Sequence, residues 1–330
     1  MSLLETTESQ EAAFNRLQEG RVRVEAELGK AIIGQKDVVE QILLSLISGG
    51  HCIITGAPGL AKTLLVKSVA KVFHLDFQRI QFTPDLMPAD ITGTEILTDT
   101  PEGRQLTFAK GPIFTNLLLA DEINRTPPKT QSALLEAMQE HQVTAAGVRH
   151  TLSEPFFVLA TQNPVEMEGT YPLPEAQLDR FLFNTLIDYL PEDDEVEVVT
   201  QTTSKVHDPI ESIFTAEDVL DFQSLVRKVP VSEEILRFAV KLAASSRPSD
   251  PNAPDFVKEW ISWGAGTRAA QALVLAGKAQ ALWHSRAHVT KEDIVQLAPP
   301  VLRHRILLNY RAEAQGETVE SVIQKLLDNA

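Results

Sequence analysis

The stretch His51-Cys52-Ile53-Ile54-Thr55-Gly56-Ala57-Pro58-Gly59-Leu60-Ala61-Lys62-Thr63 joins an apolar strand pattern to a glycine-rich turn, and a helical pattern follows directly. Strand, turn and helix in that order are the context a phosphate-binding loop requires. Successive backbone N–H groups in such a turn, with the positive end of the following helix, converge on a phosphate. Lys62 adds a full charge and the Thr63 hydroxyl is suited to Mg2+, so the implied ligands are a nucleoside triphosphate and its metal, held by Gly56, Ala57, Pro58, Gly59, Leu60, Ala61, Lys62, Thr63 and Leu64. Ala61 stands where the pattern G-x-x-x-x-G-K-[ST] has its last glycine. A methyl group fits there without strain only at negative φ, which is therefore expected of Ala61. An ordinary helix entry with a solvated lysine is the competing reading of this octapeptide taken alone, and the downstream residues weigh against it.

The chain of 330 residues, 43% apolar and 23% charged, has the composition of a soluble protein and the length for two cores. The single Cys52 excludes an intrachain disulfide; placed in an expected strand, it reads as a small core residue in a reducing compartment. No window has the length of a membrane span, and Met1 to Gln10 lack a basic-then-apolar signal pattern, so a cytoplasmic location is expected. A net charge of −15 and a pI near 5.0, with no local basic track, oppose nucleic acid as a partner.

The pattern up to about Lys30 predicts a helix, and Val38, Ile42, Leu46 with Val39, Leu43, Ile47 predict an amphipathic one over Asp37 to Ser48. Strands are expected at Cys52 to Thr55, Phe77 to Phe82, Asn116 to Asp121, Phe156 to Thr161 and Phe181 to Ile187, alternating with helices as in a parallel sheet covered on both faces. Two hairpins interrupt the rhythm, one between Asp90 and Gly111 turned by Pro101, Glu102 and Gly103, the other at Gln142 to Leu152 turned by Ala145, Ala146 and Gly147. After Tyr189-Leu190-Pro191 only helices are expected, opened by Glu192 to Glu197 and by the capping signature Thr215 to Asp218, then Val231 to Ala244 and a helix from about Thr267. The division expected is 1–189 for the α/β part and 190–330 for a smaller all-α part.

Leu117-Leu118-Leu119-Ala120-Asp121-Glu122 carries paired carboxylates to the end of an apolar strand. Asp121 there suits a metal held through Thr63 and water, and Glu122 suits polarisation of an attacking water. The next strand ends at Asn163, an amide suited to the γ-phosphate or to the water, though an Asn-Pro is also simply a good turn. Arg180 is expected to begin a strand, and Arg268 to open a helix; each suits a phosphate oxygen, and each taken singly suits a surface ion pair. His284 and His288 share the i, i+4 spacing of zinc ligands, but Thr290 with Asp293 reads as a new helix cap between which and the first helix His288 falls outside.

These stretches in this order resemble the MoxR-type AAA+ ATPases of the helix-2-insert group over essentially the whole chain. The resemblance rests on Ile33-Gly34-Gln35, Gly56 to Thr63 with its alanine, Thr83-Pro84-Asp85-Leu86, Asp90-Ile91-Thr92-Gly93, Ala120 to Arg125, Gln131 to Met138 and Leu173 to Phe181. It implies a P-loop core with a helical lid and gives the site residues roles. Lys62 and Thr63 would be Walker A contacts, Asp121 the metal holder, Glu122 the catalytic base, Asn163 sensor 1, Arg180 an arginine finger for the neighbouring subunit, Arg268 sensor 2. Ile33, Gly34 and Gln35 would lie against the adenine. The hairpins would be the helix-2 and pre-sensor-1 inserts, facing a ring pore or partner. The resemblance further implies a homo-oligomeric ring, a hexamer, working with von Willebrand factor A domain proteins on protein clients, in maturation or cofactor loading. A nucleotide-gated scaffold with little turnover is the alternative, and a nucleic-acid motor is disfavoured by the acidic charge balance.

Overall fold

The computed structural model describes residues 8–100, 103–145, 147–164, 169–204 and 209–330. The strands are β1 (Cys52–Thr55), β2 (Phe77–Gln81), β3 (Gly93–Thr100), β4 (Gly103–Lys110), β5 (Leu117–Asp121), β6 (Gln142–Ala145), β7 (Val148–Thr151), β8 (Phe157–Gln162), β9 (Phe183–Leu186), β10 (Ile261–Trp263) and β11 (Leu307–Leu308). Through the strand region run helices α1 (Glu8–Gly29), α2 (Lys36–Ser48), α3 (Lys62–Val72), α4 (Pro88–Thr92), α5 (Pro128–Glu140) and α6 (Glu175–Leu178). The later helices are α7 (Glu192–Ser204), α8 (Ala216–Lys228), α9 (Glu233–Ser245), α10 (Asp255–Trp260), α11 (Thr267–Trp283), α12 (Lys291–Leu302), α13 (Tyr310–Ala314) and α14 (Val319–Asp328).

A five-stranded parallel sheet forms in the order β2-β5-β8-β1-β9. Its central strands are apolar along most of their length, as burial on both faces requires, and turn polar at their carboxyl ends with Thr55, Asp121 and Thr161-Gln162. Alternation then sorts the residues: Cys52, Ile54, Leu117, Leu119, Phe157 and Leu159 pack with α1, α2, α3 and the later helices. Ile53, Leu118, Ala120, Val158 and Ala160 face the opposite way, onto α5 and the segments flanking the first hairpin. Because all five strands run the same way, their carboxyl ends share one edge and their amino ends the other.

The later helices include α8, which opens on a capping box of Thr215 with Asp218, and α12, which opens on one of Thr290 with Asp293. Asp293 is buried and its charge is met by Arg286 at 2.6 Å. This region carries one feature absent from the expected pattern: β10 and β11 pair antiparallel, Ile261 with Leu308. Strands of three and two residues are too short to show a period of two. Helix α1 lies on these later helices, with Arg16 paired to Asp218 at 2.9 Å and to Asp221 at 2.7 Å, and Gln18 donating to the Leu282 carbonyl. His284 ends α11 and pairs with Glu40 at 2.6 Å.

Both hairpins form. β3 and β4 pair from Gly93 with Lys110 to Thr100 with Gly103, and β6 pairs with β7. Pro101, Glu102 and Ala146, expected in their turns, lie outside the described residues. Phe108 of one hairpin stacks on His150 of the other with ring centroids 4.0 Å apart, so the two inserts meet face to face.

At the amino edge of the sheet His51 is buried. Its Nδ1 accepts from the Val158 N–H at 3.1 Å while Nε2 lies 3.1 Å from the Met138 carbonyl, which requires the proton on Nε2. Burial pushes the ring down to a pKa of about 4, and His304 is lowered for the same reason. The unfolded chain, with an ordinary histidine near 6.5, binds the extra proton first, so stability is lost as pH falls from about 6.5 to about 4 and is level below that. His51 alone should cost about 3 kcal/mol across that window. Urea midpoints measured against pH should therefore fall less steeply for His51→Gln than for the unaltered protein; equal slopes would contradict the assignment.

Candidate functional site: a phosphate cradle and an arginine cleft

β1 ends at Thr55 and hands the chain directly to the glycine-rich turn. The Gly56 N–H donates to the Gln162 carbonyl at 3.2 Å, and the Ile187 N–H donates to the Thr55 carbonyl at 3.0 Å, so β8 and β9 clamp the base of the loop. A Cβ on residue 56 would sit 2.3 Å from the Ile187 backbone oxygen, which is why the position admits only glycine.

Ala61 has φ of 55°, left-handed, and caps α3. The negative φ expected from its methyl group is thus wrong. Aiming consecutive N–H groups into one concavity requires a left-handed residue before the helix. An exposed methyl group accepts this conformation for about 1–2 kcal/mol. Helix α3 starts at Lys62, so the N–H groups of its first turn have no intrahelical partner and face the cavity.

A cavity of about 390 Å³ is lined by Pro58 to Thr63 on one side and by Asp121, Glu122, Thr161 and Asn163 on the other. Lys62 is half-buried and Nζ donates to the Gly56 carbonyl at 2.5 Å, closing the loop on itself. Burial lowers its pKa, opposed by the Asp121 and Glu122 carboxylates. Asp121 terminates β5, and Glu122 follows at φ of 58°, a left-handed turn that swings its side chain back over the sheet edge. Thr161, at the end of β8, ties the two together: its hydroxyl donates to Asp121 Oδ1 at 2.6 Å and accepts from the Glu122 N–H at 2.8 Å. Asn163 is buried in the same wall.

Two residues that local sequence patterns did not single out, Arg79 and Gln81, complete this wall, and Arg125 adjoins it. Arg79 and Gln81 alternate along β2, and the register sets Gln81 opposite Asp121, so both side chains fall on the carboxylates' side. Arg79 donates to Asp121 Oδ2 through Nη2 at 2.6 Å and Nε at 3.0 Å. Gln81 Nε2 donates to Glu122 Oε2 at 2.8 Å, and Arg125 Nε lies 3.1 Å from the same oxygen. Two polar residues at i, i+2 on a strand expected beside the apolar run were the available signal.

A second cavity of about 340 Å³ continues from Gly59, Leu60 and Ala61 onto Ile33, Gln35, Leu64, Leu190 and Val199. Its apolar lining beside the phosphate loop suits a flat base. Gly34 departs from the expected grouping. Its φ of 69° makes the turn that spaces Ile33 from Gln35, and a Cβ there would meet Asp194, so it faces α7 in the neighbouring groove. Gly56 and Ala57 line neither of these cavities and serve as the loop's foot.

Arg180 and Arg268 are elsewhere. They share a cleft of about 550 Å³ with Gly50, His51, Arg227 and Arg305. Gly50 and His51 precede β1, so this cleft lies at the amino edge of the sheet, a strand length of about 13 Å from the phosphate loop. Arg180 was expected to begin a strand; it lies in the turn between α6 and β9, because the backbone tightens after Leu178 and its N–H donates to the Gln177 carbonyl. Its Nη1 donates to the Leu135 carbonyl at 2.7 Å. Arg268 is the second residue of α11, and Asp179 holds Arg305 at 2.7 Å and lies 3.9 Å from Arg268. Four guanidinium groups around one carboxylate make this cleft cationic on a chain of net charge −15.

The sheet order, the phosphate loop before α3 and the carboxylate pair at the end of β5 define a P-loop AAA+ core with a helical lid. Residues 51–183 match the ATPase family associated with various cellular activities (AAA), and residues 256–326 match the AAA lid domain. The chain is 40% identical over 301 residues to the protein named Chaperone MoxR1 of Mycobacterium tuberculosis, covering 91% of this chain and 79% of the relative. YeaC of Bacillus subtilis is likewise 40% identical, covering 91% of each chain. A solved structure from Cytophaga hutchinsonii superposes with a TM-score of 0.89 at 42% identity, over 98% of this chain and 96% of that one. The chain belongs to the MoxR-type AAA+ ATPases.

Proposed function

We propose that this protein hydrolyses ATP with Mg2+ at an interface between two copies of itself, and that a ring of such copies remodels partner proteins. The observation that carries this reading is the separation of the phosphate cradle from the arginine cleft by the length of the sheet. Arg180 and Arg268 lie at the wrong edge to reach the phosphates beside their own Lys62, and at a suitable edge to meet those of a neighbour. Sensor 2 as well as the arginine finger would then act across the interface.

The Thr63 hydroxyl and Asp121 carboxylate line one cavity and are hard oxygen donors, which fits Mg2+. The metal would neutralise charge on the β- and γ-phosphate oxygens. Lys62 would leave the Gly56 carbonyl for those oxygens, and the α3 first-turn N–H groups would hold the phosphates. Glu122, released from Gln81 and Arg125, would accept a proton from the attacking water, with Asn163 orienting that water or the γ-phosphate. Ile33, Gln35 and Leu64 would enclose the adenine.

The same reading divides the chain into a nucleotide domain over 1–189 and a lid over 190–330, with α1 strapping one to the other. It places the protein in the cytoplasm as a hexamer serving protein clients with a von Willebrand factor A domain partner. The name of the Mycobacterium tuberculosis relative supports the chaperone role. Among the described residues no helix is long and apolar enough to cross a membrane.

Lys62→Ala tests the cradle. Calorimetric titration with ATP and Mg2+ should show binding to the unaltered chain and a loss of at least about tenfold in affinity for the variant, the scale of one charge-assisted contact. Equal affinities would overturn the placement of the phosphates.

A further inference from the structure

Asp121 has both carboxylate oxygens engaged. Oδ1 accepts from Thr161, and Oδ2 accepts twice from one guanidinium, that of Arg79. The cavity in which this pair sits also contains Thr63, the other oxygen donor suited to the metal. Oδ2 has both lone-pair directions taken by the guanidinium, so a divalent cation can take that oxygen only if the guanidinium leaves, and wherever the metal meets this carboxylate, directly or through water, the two cations repel. Arg79 also has a place to go: its Nη2 already donates to Gln81 Oε1 at 2.5 Å, and its side chain is 44% exposed.

We propose that Arg79 is a positioning residue that competes with Mg2+ for Asp121, so that the metal takes Oδ2 only when this guanidinium is displaced along β2. The inference rests on the reading of the cradle as an ATP and Mg2+ site and adds a threshold to it. Arg79 holds Asp121 in the rotamer that faces the phosphates, and it leaves only when a cation of higher charge density takes over. The competition makes nucleotide binding more steeply dependent on Mg2+ than the donor set alone would. It also links the metal to Glu122, because the displaced guanidinium remains on Gln81, whose amide holds Glu122. Nothing about hydrolysis is needed to see the effect.

The test is the affinity of the full chain for a non-hydrolysable ATP analogue, measured by calorimetry over a series of Mg2+ concentrations, and once with the metal chelated. Arg79→Ala should lower the Mg2+ concentration at half-effect by about three- to tenfold, the worth of a partly exposed charged pair. Metal-free affinity should shift by less than the Mg2+ midpoint does. Arg79→Gln, which keeps an amide on the strand, should shift the midpoint in the same direction and serves where the alanine variant folds poorly. An unshifted midpoint in a folded variant overturns the proposal, as does a loss of metal-free affinity at least as large as the midpoint shift, which would make Arg79 a phosphate ligand instead. Lys62→Ala run alongside separates the two levels. If it leaves analogue binding intact, the cradle itself has been misplaced and the inference falls with it; if it abolishes binding while the Arg79 midpoint does not move, only the competition is wrong.

Discussion

Arg180→Ala is expected to reduce ATP turnover of the assembled protein by roughly 10³-fold or more, the range that arginine fingers supply in phosphoryl transfer. Nucleotide affinity of the isolated chain should hardly change, because Arg180 lies in the cleft at the amino edge of the sheet and shares no lining with the phosphate cradle. The two readouts separate a finger from a structural arginine. Loss of the Leu135 hydrogen bond alone would be felt in stability, with turnover and affinity falling together as the fold loosens. Unfolding midpoints measured beside the rates decide between them. A fully folded variant with unchanged turnover would remove Arg180 from the reaction.

Glu122→Gln should lower turnover by about 10²- to 10⁴-fold, the usual contribution of a positioned general base. ATP binding should survive or tighten. The amide is nearly the shape of the carboxylate, removes one negative charge from beside the phosphates, and leaves the Glu122 N–H bond to Thr161 in place because that contact is made by the backbone. Steady-state hydrolysis and equilibrium binding on the same preparation check this. Residual turnover near the unaltered rate would mean that Glu122 only pairs with Gln81 and Arg125.

The parts of this account that were legible in the sequence are those with short-range causes. The apolar run Leu117 to Ala120 announces a buried strand, and the carboxylates at its end need no tertiary knowledge to be placed at a sheet edge. Thr215 with Asp218 and Thr290 with Asp293 close their capping boxes within one turn of helix, and both form. What escaped depends on residues far apart in the chain. Arg79 meets Asp121 across 42 positions, and that contact exists only because β2 pairs with β5 in one register. The Ala61 backbone is set by the convergence of its own N–H with its neighbours', a demand of the turn that outweighs the residue's preference. Arg180 was expected in a strand because the aromatic and apolar residues after it, Phe181 to Phe183, read as one run. The ladder with β1 begins only at Phe183. That Arg180 and Arg268 would meet in one cleft with Arg227 and Arg305 had no local signal at all, because the turn before β9, α8, α11 and the turn after α12 bring them there from separate stretches.

That cleft makes the central claim testable by complementation. Chains carrying Glu122→Gln and chains carrying Arg180→Ala, each nearly inactive alone, should regain ATP turnover when mixed. An interface then forms in which one copy supplies an intact carboxylate and its neighbour an intact guanidinium. Recovery to a sizeable fraction of the unaltered rate, dependent on total protein concentration, is the result expected; a mixture no more active than its two components would place both groups in the service of one and the same chain.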